Sequence, residues 1–464
     1  MDYPDTPNST GSTIILDNFT PPLLQLPTRP STEEPGSIGH AKHIIRDILQ
    51  LPLARAEKCP LLDPHGSTVS YLVELHSPIP HAGLAPVQFG TVRTPIDTHR
   101  LIVQFKGSNR QNPMSDAFWA RNKVAAMKLA REILHNTPFD IAVPDVYAWS
   151  DGAGQPGDKA WVVQSATRKW EPLAQHFRRN EQDQEFVLDQ IAELQGYFQE
   201  YKMPRPAQGY GSFGFDSAGQ VCVAPMENPN IGGPFTSIRD MMRAEYMFEL
   251  SRCEQHGTIR GWSDKPELKR KLDEFTTTGL EKLLNKIPDV KPQFTLNKIE
   301  LSNFMCDLFL ESRIIYIVDF SYATISHPLT EFFNSYHSMF GNLPLPLDPD
   351  WGLLYRSVLE GFEKESVDVD LRELDNPACA RRVKDPEFSY AMGRDLYAAF
   401  KRAGIATPRK MRVARIMATF RGLCAAVGGR DLFQWAPDMF AKQEIEEGTE
   451  VLGKYLSFME RLVD

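Results

Sequence analysis

Between residues 294 and 320, two short apolar runs flank a polar turn. Phe304-Met305-Cys306 leads into Asp307 and Glu311-Ser312-Arg313, and residues 314–318 (Ile-Ile-Tyr-Ile-Val) return from it. Runs of this length bounded by turn residues predict a strand hairpin. The first run opens at Asn303 and the second closes at Asp319. An antiparallel pair therefore sets the two polar side chains at one end, where they can project into one cleft.

The sequence around this hairpin sets the fold class. Ile44, Ile45, Ile48 and Leu49 recur at helical spacing across residues 37–53. Strand-like runs follow at 69–75, 101–105 and 161–164, with a helix over 116–134 and a Gly/Asp/Pro turn cluster at 151–158. Beyond residue 168 longer helical stretches take over, at 185–201, 236–255 and 266–286, interrupted by hairpin-like segments at 209–224 and 302–320. Past Pro328 the pattern is helical at 351–364, 387–403, 408–427 and 444–462. This order predicts a two-lobed α+β fold: a small strand-rich lobe over 37–167, then a large helical lobe over 168–464 that carries the hairpin. Residues 1–36, rich in Pro, Ser and Thr, are expected to be disordered or extended, since they offer little apolar surface to offset the entropy of ordering.

Composition excludes several functions. The net charge is -9 with no basic block, so nucleic acid is not an expected partner. The six cysteines show no C-x-x-C spacing and no histidine at zinc-ligand intervals, which predicts reduced thiols in a cytoplasmic protein. No run approaches the ~18 apolar residues of a membrane span. G-x-S-x-G is absent, so serine nucleophile chemistry has no support. The G-x-G-x-x-G match at Gly209–Gly214 precedes the turn Asp216-Ser217-Ala218-Gly219 rather than a helix and is expected to be a hairpin.

Phosphoryl transfer from a nucleotide needs metal ligands, a cation facing phosphate and a carboxylate that orients the attacking hydroxyl. Asn303 and Asp319 have the chemistry to hold Mg²⁺ between them. The segment resembles the aminoglycoside phosphotransferase and choline kinase-like superfamily, in particular its fungal phosphotransferase branch, which has a protein kinase-like fold. That family reads H-x-D-L-x-x-x-N-h-h-h-D and then h-h-h-D-[FW]. Four further segments share the resemblance in order: Ile141-Ala142-Val143-Pro144-Asp145-Val146-Tyr147-Ala148, Gly211-Ser212-Phe213-Gly214-Phe215-Asp216, Gly232-Gly233-Pro234-Phe235 and Ile259-Arg260-Gly261-Trp262. It covers residues 39 to 341. It implies ATP and Mg²⁺ as cofactors, a small-molecule hydroxyl as substrate, and Asn303 and Asp319 as metal ligands.

The departures divide this expectation. With one gap, the family's His-x-Asp falls on Lys298-Ile299-Glu300, which makes Glu300 the base; without a gap it falls on Leu296 and Lys298, with no carboxylate. A base displaced by about 1 Å can cost ~10²-fold in rate. On the strand Ile102-Val103-Gln104-Phe105-Lys106, the phosphate-facing position is Gln104, with Lys106 on the same face two residues later. The acid expected to orient that cation is replaced by Lys123, which is expected to repel Lys106. The turn Gly66-Ser67-Thr68, expected over the phosphates, keeps one glycine. Two functions remain open: an ATP- and Mg²⁺-dependent small-molecule phosphotransferase, or a pseudokinase-like module that binds, scaffolds, or reuses its cleft for another reaction.

Overall fold

In the computed structural model, residues 36–62, 68–79, 88–107, 114–153, 159–166, 170–226, 230–255, 265–307, 312–336, 339, 353–362, 390–428 and 442–463 are described. The chain enters through α1 (Ile38–His43), where Ser37 Oγ accepts from the His40 amide at 3.1 Å and caps the helix. A wider turn continues it over Ile44–Ile48. The expected helix to residue 53 is too long. Gln50 takes a φ of +53°, and Pro52 has no amide hydrogen to extend a helix, so Leu53 instead opens a strand, β1 (Leu53–Lys58).

Five antiparallel strands form the first sheet in the order β1-β2-β3-β5-β4, with β2 (Thr68–Leu75), β3 (Arg100–Lys106), β4 (Val146–Ser150) and β5 (Trp161–Ser165). Alternation along β3 sends Leu101, Val103 and Phe105 into a core with Ile44, Ile45 and Tyr71. Ile102 and Gln104 take the opposite face. Helix α2 (Asp116–Leu134), capped by Ser115 Oγ on the Phe118 amide, shares a core with Val146 and Val162. It buries Trp119, Val124, Leu129 and Leu134, each of which contributes roughly 1.5–3 kcal/mol on leaving water.

After β5 come β6 (Trp170–Pro172), α3 (Leu173–Arg179) and α4 (Gln184–Glu200). The hairpin β7 (Ser212–Phe215) with β8 (Val221–Ala224) follows, and then α5 (Ile238–Gln255). The expected helix over 266–286 is broken into α6 (Pro266–Glu274) and α7 (Leu280–Asn285) by a wider turn at Phe275–Gly279. There the hydroxyls of Thr276, Thr277 and Thr278 bond to carbonyls four residues back, a pattern that bends helices.

Strand β9 (Gln293–Thr295) pairs with β12 (Thr324–Ser326), enclosing the hairpin of β10 (Phe304–Asp307) and β11 (Ile314–Ile317). Strand β6 pairs with the other side of β10, so the chain crossing between lobes is stitched to this hairpin. Helix α8 (Pro328–Asn334) comes next, followed by α9 (Leu353–Glu360), α10 (Tyr390–Arg402), α11 (Ala414–Gly428) and α12 (Lys442–Val463). The architecture is two-lobed α+β and kinase-like, with the hairpin against the strand-rich lobe. Among the described residues, no helix is long and apolar enough to cross a membrane.

Candidate functional site

Hairpin pairing brings Asn303 and Asp319 together, through the side chain of the first and the backbone of the second. Asn303 is 2% exposed; its Oδ1 accepts from the Asp319 amide at 2.8 Å, and its Nδ2 donates to the carbonyls of Asp319 and Lys298 at 3.1 and 3.0 Å. The amide therefore fastens the two ends of the hairpin.

The Asp319 carboxylate faces two ammonium groups. Lys123 Nζ lies 3.5 Å from Oδ1 and Lys298 Nζ lies 3.6 Å from Oδ2, while the Ser321 amide and hydroxyl donate to Oδ1 at 2.8 and 2.5 Å. Burial works against the charge of Asp319. Lys123, then Lys298 and the Ser321 hydrogen bonds, outweigh it and hold the carboxyl well below the usual carboxylate range.

Lys123 is fully buried and comes from α2, where it also donates to the Val318 carbonyl at 3.5 Å and lies 5.6 Å from the Trp119 ring centroid. Its neighbour Asn122 donates to the carbonyls of Ser321 and Ala323 at 2.8 and 3.1 Å and accepts from the Phe213 amide at 2.8 Å. Two consecutive residues thus pin α2 to the exit of the hairpin. Each of the two cations has an acid beside it: Lys106 Nζ lies 3.5 Å from Asp116 Oδ1, and Lys123 Nζ lies 3.5 Å from Asp319 Oδ1.

The loop before Asn303 is held from behind. Glu331 of α8, fully buried, accepts from the Leu296 and Asn297 amides at 2.6 and 2.9 Å and from the Ser335 hydroxyl. Burial pushes its carboxyl up to about 7, against those hydrogen bonds. Asn297 takes a φ of +58°, and its side chain donates to Tyr322 O and Thr324 Oγ1 at 2.9 and 2.8 Å. This geometry brings Lys298 Nζ to 4.8 Å from the Tyr322 ring centroid and to the edge of Asp319. Glu300 is half-buried, and Ser302 Oγ approaches its Oε2 at 3.4 Å.

On the facing sheet, Gln104 is fully buried and donates through Nε2 to Ser70 Oγ at 3.0 Å; its Oε1 has no hydrogen-bond partner among the described residues. Beside it, Ile102 joins Leu62, Met305, Tyr316 and Val318 in one buried apolar cluster that bridges sheet and hairpin. The Tyr316 hydroxyl accepts from Gln164 Nε2 at 2.5 Å. Gly66 and Ser67 lie outside the described residues.

Sequence reasoning missed Lys123 and Glu331 as members of this arrangement. One signal was present. Trp119, Lys123, Ala126 and Ala130 fall on one helical face, and a lysine on an apolar face needs a buried partner.

No family model matches the chain, and no curated protein matches it. Solved structures similar to it include an ADP-bound aminoglycoside phosphotransferase, APH(2'')-Ib, with 10% identity, a TM-score of 0.44 and coverage of 90% of this chain and 98% of that one. The streptomycin–ATP ternary complex of APH(2'')-IIa gives 11% identity and a TM-score of 0.44, covering 93% and 99%. A choline/ethanolamine kinase family protein from Mesorhizobium loti gives 11% identity and a TM-score of 0.40, covering 91% and 98%. At these values the likeness assigns no residue roles.

Proposed function

We propose that this chain is a kinase-like-fold module that does not perform metal-dependent phosphoryl transfer and acts by binding. Its place in the aminoglycoside phosphotransferase and choline kinase-like superfamily, fungal branch included, is part of the proposal and rests on the order of the segments quoted above. The observation that carries it is the fully buried Lys123 ammonium at 3.5 Å from Asp319. Mg²⁺ needs near-octahedral oxygen ligands at about 2.1 Å and keeps several waters. An ion on Asp319 would sit roughly 4 Å from that ammonium, a repulsion on the order of 8 kcal/mol at an effective dielectric of about 20. Lys298 can swing towards solvent, but Lys123 has no such route.

Two further features support the reading. Asn303 spends its Oδ1 on the Asp319 amide, and Ile102 packs in one cluster with Met305 and Val318 where sheet and hairpin meet. The residues present therefore do not fit a metal–nucleotide pair, and no phosphoryl-transfer step is assigned to Glu300, Gln104 or Lys106.

A ligand of the native state raises its melting temperature by mass action. The expected result is no shift in Tm with millimolar ATP and Mg²⁺, alone or together. A magnesium-dependent shift with turnover of ATP would overturn the proposal in favour of a small-molecule phosphotransferase with Glu300 as base. A shift by ATP without magnesium would keep the binding function and identify the nucleotide as its ligand.

A further inference from the structure

On the side of β10 away from β11, Cys306 stands opposite Glu171 of β6, and α3 returns His176 to the same point. Glu171, His176 and Cys306 each present one donor atom, and these atoms lie within 4.8 Å of one another. The side chains of Glu171 and His176 are 12% and 11% exposed, and Cys306 is fully buried.

Surrounding bonds decide what each atom can do. Ser312 Oγ donates to Asp183 Oδ2 at 2.6 Å, so the serine oxygen and the carboxylate both meet His176 Nε2 as acceptors, at 2.6 and 3.0 Å. Nε2 therefore carries a hydrogen. The other ring nitrogen, Nδ1, faces Glu171 Oε1 at 2.8 Å and the amide nitrogen of Asn180 at 3.2 Å. With the hydrogen on Nε2, a neutral ring would set this lone pair beside the carboxylate as well as the Asn180 amide, a repulsion that a cation between them relieves, either a proton or a metal ion. The adjacent thiol separates these options, because sulfur adds little to a proton bridge and is a favoured donor to borderline-soft metals.

We propose that Glu171 Oε1, His176 Nδ1 and Cys306 Sγ form a site for a zinc-class divalent metal ion, with water as the fourth ligand. Ligands at about 2.0–2.3 Å from a tetrahedral ion stand roughly 3–4 Å apart, so these atoms reach that geometry with shifts of about 1 Å or less. The second layer is already in place. Arg179 holds Glu171 Oε2 and leaves Oε1 to the ion, and Asp183 orients the imidazole through Nε2. The thiol now donates to the Glu171 carbonyl at 3.7 Å; metal binding replaces this proton with the ion and releases it to solvent. A filled site joins β6 and α3 to the hairpin independently of Lys123 and Asp319.

The test is titration of chelator-treated full-length chain with Co²⁺. The expected result is saturation at one equivalent, with a thiolate-to-cobalt charge-transfer band and the d–d bands of four-coordinate cobalt, displaced by Zn²⁺. Cys306→Ser should lose the charge-transfer band. Asp183→Asn, outside the ligand set and on a side chain 41% exposed, should fold normally and bind Co²⁺ about 10–100-fold more weakly. Absence of the bands in the wild-type chain, their persistence in Cys306→Ser, or wild-type affinity in Asp183→Asn would each overturn the proposal.

Discussion

Asp319 and Glu331 are both carboxylates buried at 4% exposure or less; Asp319 receives one backbone amide and Glu331 two, each also receives a serine hydroxyl, and the charges beside them set them apart. Asp319 has two ammonium groups within 3.6 Å, whereas Glu331 receives hydrogen bonds from neutral groups. Burial raises the carboxyl of Glu331 to about 7, while the lysines drive that of Asp319 down despite its burial. Hydrogen bonds from dipoles do not fully offset the loss of water around a carboxylate here, and formal charges do. Asp319 is thus held as a carboxylate between two ammonium groups, and the loop anchor at Glu331 accepts a proton near neutrality.

Asp319→Ala tests the first half of this contrast and should have the largest effect. It leaves Lys123 charged and buried without its carboxylate, a loss of about 3–5 kcal/mol in urea denaturation. A variant as stable as the wild type would mean that the lysines do not depend on Asp319. Adding Lys123→Met to Asp319→Ala should recover part of the loss, and the double-mutant cycle measures their coupling.

The second half predicts a pH dependence. The folded carboxyl of Glu331 lies above its unfolded value of 4.5, so its contribution is fully present below that pH and is lost as pH rises through about 7. The size is on the order of 3 kcal/mol. Two histidines oppose it in the same window: burial first, then His43 and Lys159, lower His40 to about 4, and burial alone lowers His327 to about 4. Their folded values lie below the unfolded 6.5, so their contributions are lost as pH falls from 6.5 towards 4. The readout is therefore the stability of the wild type minus that of Glu331→Gln, which should fall between pH 4.5 and 7.5. A flat difference would show that Glu331 is ionised throughout.

Lys298→Met should have the smallest effect. Its ammonium lies at the edge of the cleft, 12% exposed, and its loss should cost about 1 kcal/mol, well below that of Asp319→Ala. Equal losses from Lys298→Met and Lys123→Met would place the two lysines on the same footing, with burial giving Lys123 no larger role.

Much of the fold was legible because it rests on local periodicity. The expected strand at 69–75 and helix at 116–134 correspond to Thr68–Leu75 and Asp116–Leu134, and the turn at 216–219 joins β7 to β8. Strand β1 was missed because Leu53-Ala-Arg-Ala-Glu-Lys58 has little β-branched or aromatic content. The helix over 266–286 looked continuous because a wider turn keeps the apolar spacing nearly helical. At the site, the meeting of Asn303 with Asp319 followed from hairpin register. The direction taken by Lys123 did not, because local spacing gives its face on α2 but not the partner that tertiary packing brings against it.

Lys123 has a mechanical consequence as well as an electrostatic one. It belongs to the strand-rich lobe, and its partner belongs to the helical lobe. Swinging α2 outward would separate a buried cation from its counter-ion at a cost of several kcal/mol. At 3 kcal/mol or more, the open arrangement holds less than about 1% of the molecules. That contact ties α2 to the hairpin, and amide protection in α2 should approach that of the hairpin it grips.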